Sequence, residues 1–76
     1  MKDQIVIVSG ARTAIGKFGG SLKDFEASDL GAIAIRAALE RVQLAPDQID
    51  EVVMGCVGTA AENAFMARLC SVKAGI

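Results

Sequence analysis

Histidine, tryptophan and tyrosine are absent from this 76-residue chain, and proline occurs once. Without histidine the commonest metal ligand is missing, and the two cysteines, Cys56 and Cys70, lack zinc-finger spacing, so no metal site is expected. Two cysteines are also too few for a secreted disulfide framework. No apolar run approaches the roughly 20 residues that a membrane span requires. The apolar segment after Met1-Lys2-Asp3 lacks the length and cleavage site of a signal peptide. A reducing cytosol is the expected compartment, so the protein is taken as cytoplasmic, with no membrane partner. Charge is balanced as well: eight basic residues against nine acidic ones, scattered singly, leave a net charge of −1. That supplies no electrostatic footprint for nucleic acid.

What the chain has in quantity is apolar surface. Hydrophobic residues make up 53% of it and the mean hydropathy is +0.45. That is too apolar for a disordered tail and rich for a small free-standing domain, so much of this surface is expected to be covered by something else.

Read in order, the periodicities predict strand, helix, strand, helix. Ile5-Val6-Ile7-Val8 is an unbroken β-branched run, suited to a strand buried on both faces of a parallel sheet. Ser28 is a good N-cap with Asp29 in the first turn, and a helix is predicted over 29–42. Leu30, Ile33, Ile35, Ala37, Ala38, Leu39 and Val42 form its apolar side, leaving Arg36, Glu40 and Arg41 for solvent. Pro46 breaks it. Val52-Val53-Met54-Gly55-Cys56-Val57 reads as a second buried strand, and a second helix is predicted over 62–73 with Gly75 as a left-handed cap. Phe65, Met66, Leu69, Cys70 and Val72 form most of that helix's apolar side. The fold class is therefore α/β, a β-α-β-α unit with parallel strands joined by a right-handed crossover. Two parallel strands leave unpaired edges, so the unit is expected to dock on further chain, its own or a partner's.

The stretch from Gly10 to Gly20 holds four glycines in eleven residues directly after the first apolar run. Gly16-Lys17 in that place invites comparison with a phosphate-binding P-loop, but the earlier glycine falls one position off, at Gly10 with Ala11 where it is needed, and Phe18 replaces the required Ser or Thr. No Gly-x-Gly-x-x-Gly dinucleotide fingerprint occurs.

Arg12-Thr13-Ala14-Ile15-Gly16-Lys17-Phe18-Gly19-Gly20, preceded by Ile5-Val6-Ile7-Val8-Ser9, resembles the N-terminal signature of thiolases. Leu30-Gly31-Ala32-Ile33-Ala34-Ile35, Asp50-Glu51-Val52-Val53-Met54-Gly55 and Lys73-Ala74-Gly75-Ile76 follow in the order and near the spacing of that family. Ala14 stands where proline is common, which leaves subfamily and acyl-chain preference open. A ketoacyl synthase would match the Arg-Thr-x-x-Gly-x-Phe signature less well.

The resemblance implies that residues 1–76 are the opening part of a thiolase-type layered α/β domain and end before the nucleophile turn. The complete enzyme would join two acetyl-CoA to acetoacetyl-CoA, or run the reverse thiolysis, through an acyl-cysteine, and would be a dimer or tetramer. Coenzyme A thioester would be its substrate. In the family, histidines from the C-terminal half supply the base, so this chain alone is expected to be inert. No catalytic, cofactor-binding or metal residue is carried over. Cys70, near the carbonyl end of the second helix among Met66 and Leu69, is expected in the core, as is Cys56 within the second strand. Arg12 and Lys17 are expected to brace the glycine loop or face water rather than hold coenzyme A, and Arg68 to lie on a surface or interface. The expected partner is the remainder of the thiolase chain or a complementary polypeptide. The alternative from another class is a non-catalytic truncated paralogue acting as an interaction or oligomerisation module.

Overall fold

In the computed structural model, which describes residues 4–58 and 64–76, the alanine-rich stretch after Glu26 forms helix α1 (Ala27–Arg41). Glu26, in extended conformation, is the cap: its N–H donates to Asp29 Oδ2 at 3.0 Å, and the Asp29 N–H donates to the Glu26 carbonyl at 3.0 Å. The carboxylate of Asp29 also sits in the first turn, where the helix dipole favours it. Ser28, the expected cap, lies one residue inside the helix and is fully buried. Because Glu26 and Asp29 organise the helix start, its hydroxyl is available to another element.

The helix closes before Pro46. The Leu44 N–H donates to the Leu39 carbonyl at 3.0 Å and that of Gln43 to Glu40 at 3.2 Å, with Gln43 at φ 55°, the pattern of a Schellman cap. Pro46 then opens a 3₁₀ turn (Pro46–Gln48), a place where its missing N–H costs nothing. Helix α2 (Met66–Ala74) ends the same way: Ile76 N–H to Ser71 at 2.9 Å, Gly75 N–H to Val72 at 3.1 Å, and Gly75 at φ 88° as expected. The predicted first residues of this helix, 62 and 63, lie outside the described residues.

The two helices pack on each other through small residues. Met66, Cys70 and Ala74, spaced four apart, are buried along α2 together with Ser71, and Ala32 and Leu39 are buried on α1. The approach is close at Gly31, where a Cβ would stand 2.5 Å from Cys70 Sγ and 3.4 Å from Met54 Cε. Arg36, Glu40 and Arg41 face solvent as expected. Ile33, Val42, Phe65 and Val72, expected on apolar sides, are instead exposed.

The expected β-α-β-α unit with parallel strands does not form: among the described residues there are two α-helices and no strand. Among the described residues, none forms a backbone hydrogen bond with residues 5–8, and Ile5 and Ile7 are 101% and 95% exposed. A strand exists only through its ladder, and β-branched composition cannot supply the other half. Residues 52–57 are covered on one side only. Val52, Met54 and Cys56 are half-buried towards the helices while Val53, Gly55 and Val57 are exposed, the alternation of extended backbone lying on a single layer.

Size confirms the openness. The radius of gyration is 14.0 Å, against about 11 Å for a compact chain of this length. The accessible surface is 6251 Å², where roughly 4,400 Å² would suffice for a compact protein of this mass.

Candidate functional site

Polar side chains converge at one place, where the start of α1 meets the end of α2. Lys73 Nζ donates to Ser28 Oγ at 2.5 Å and to Asp29 Oδ1 at 2.9 Å, and the Lys73 carbonyl accepts from Arg36 Nη2 at 2.6 Å. Asp29 is thereby held at a pKa below the ordinary carboxylate value, first by the hydrogen bond from Lys73 and then by the Glu26 N–H. The ammonium gives the buried Ser28 hydroxyl its donor, which an apolar residue at that position could not. Chemically this is a clasp between helices. Asp29 stands in the first turn of α1 and Lys73 in the last turn of α2, each a local feature, but their meeting 44 positions apart is tertiary.

Beneath the clasp lies Cys70, with no accessible surface and its Sγ 3.6 Å from Met66 Sδ. Burial pushes its pKa up, and the nearby Lys73 charge only partly opposes this. The thiolate is the reactive form, so the thiol at Cys70 is a packing group, as its helical position suggested. Cys56 is half-buried, and its Sγ donates to the Gly58 carbonyl at 3.3 Å.

The glycine-rich stretch is tied down at one end. Arg41 Nη1 donates to the Gly10 carbonyl at 2.5 Å, linking the loop to the last turn of α1. Arg12 folds back on its own loop, donating to the Thr13 carbonyl at 3.0 Å. A tight turn follows, with the Gly20 N–H on the Lys17 carbonyl at 2.8 Å and Gly19 at φ 71°. The Lys17 side chain is exposed. Arg68 is exposed too, beside a shallow groove that Asp50, Glu51, Ser71 and Ile76 also line. The structure therefore does not gather Arg12, Lys17 and Arg68 into one cationic pocket.

Among the described residues, no group of three or more histidine, cysteine, aspartate or glutamate side chains is placed to hold a metal ion. No helix there is long and apolar enough to cross a membrane.

The segments that carry the glycine loop, α1, the extended run 52–57 and α2 all fall within one family match: residues 5–76 fit "Thiolase, N-terminal domain". The chain belongs to the thiolase family. It is 54% identical to an acetyl-CoA acetyltransferase of Cupriavidus necator over 95% of this chain and 18% of that protein. Against the beta-ketothiolase BktB of the same organism it is 43% identical over 100% of this chain and 20% of that one. An acetyl-CoA acetyltransferase of Thiocystis violacea is 45% identical over 100% of this chain and 19% of its own length. The thiolase sequence described here thus spans about a fifth of the curated relatives it matches, and it is N-terminal thiolase sequence throughout. The resemblance carried by Arg12 to Gly20 and the three downstream segments is borne out.

Proposed function

We propose that this chain is a scaffold portion of an acyl-CoA acyltransferase that joins two acetyl-CoA to acetoacetyl-CoA and free coenzyme A, or runs the reverse thiolysis, through an acyl-cysteine. The observation that carries the reading is the 54% identity to an acetyl-CoA acetyltransferase sustained over 95% of the chain. In this reading the acyl-accepting cysteine and its base belong to thiolase sequence beyond these residues, and coenzyme A thioester is the substrate of the assembled enzyme. Cys70 supports it by being buried and biased to the thiol form, and so does a chain without histidine. Residues 1–76 then contribute the α1–α2 layer and the tethered glycine loop of an N-terminal domain, in a cytoplasmic protein that assembles as a dimer or tetramer.

The test is reconstitution. This chain is mixed with a polypeptide carrying the rest of a close thiolase relative, assembly is read by native mass spectrometry, and thiolysis of acetoacetyl-CoA is assayed. Activity from the complex but from neither part alone is the expected result. An assembled complex with no thiolysis overturns the proposal. So does native mass spectrometry that finds only 7.9 kDa chains, singly or as a small homo-oligomer, which would make the chain an interaction module.

A further inference from the structure

We draw no further inference here: the strongest candidate, the exposed apolar side chains of residues 5–8 with Val53 and Val57, is an unpartnered face, and nothing in the structure shows what covers it.

Discussion

Replacing Gly31 with alanine should loosen the contact between α1 and α2 although alanine is the better helix former. A Cβ at that position falls 2.5 Å from Cys70 Sγ. Apolar atoms rest about 3.5–4.0 Å apart, so the sulfur or one helix must shift by about 1 Å. Cys70 has no exposed surface and its rotamer is limited by its own helix, so the sulfur has little room to turn away. Two terms then oppose each other. Removing glycine from a helix interior gains about 1 kcal/mol. Overpacking a tight contact costs about 1–3 kcal/mol. The expected net result is a loss of roughly 1 kcal/mol.

A double-mutant cycle separates the two terms. With Cys70→Ala the sulfur is gone, and the closest remaining atoms, Met54 Cε at 3.4 Å and Cys70 Cβ at 3.6 Å, are in or near ordinary contact. Gly31→Ala in that background should therefore show the propensity gain of about 1 kcal/mol, giving a coupling of roughly 1–3 kcal/mol between the two sites. Urea titration followed by the helical circular dichroism signal of all four chains measures it. Equal stabilisation by Gly31→Ala in both backgrounds would refute the reasoning, because it would mean that the helices do not meet at Gly31 and Cys70.

Lys73→Met should cost about 1–2 kcal/mol by the same titration, since it removes the donor to the buried Ser28 hydroxyl; the exposed part of the clasp, its ion pair with Asp29, adds little. The acid side of stability should depend on Asp29. Its folded-state pKa is lowered, so its contribution is present above the unfolded value of about 3.9 and fades as pH falls through the folded value. Asp29→Asn should flatten that acid limb in a pH series, and an unchanged limb would count against the Lys73 contact. Iodoacetamide should label Cys56 well before Cys70 in the native chain, as read by peptide mass mapping, with the difference vanishing in urea. Gly75→Ala should destabilise the end of α2 by about 1 kcal/mol because φ 88° strains any residue with a Cβ, and a neutral result in helix melting would contradict the left-handed cap.

The candidate residues divide according to how far apart their determinants lie. Gly75 at a left-handed cap, Asp29 in the first turn and the exposure of Glu40 were legible because each depends on neighbours within a turn or two, whereas the bonds of Arg36 to Lys73 and of Arg41 to Gly10 were not. The packing role of Cys70 was legible for the same reason, from its place near the helix end among apolar residues. Ser28 was misread. A serine before an apolar helix looks like a cap, yet Glu26 takes that position and Lys73 claims the hydroxyl from 45 residues away. Gln43 gave no signal either, since its left-handed conformation follows from closing the Schellman hydrogen bonds and not from its own preference.

Family membership was determined by the sequence alone, because it rests on residue order: the Arg12 to Gly20 signature and the segments that follow it. So were the two helices, whose hydrogen bonds close within each segment and whose caps are local. Only the tertiary structure decided that residues 5–8 and 52–57 form no strand among the described residues, that glycine at 31 makes room for the Cys70 sulfur, and that Lys73 closes on Ser28 and Asp29. Each of those outcomes depends on a partner distant in sequence. A β-branched run states a preference for extended backbone, but its N–H and C=O groups become a ladder only where another strand is present to receive them.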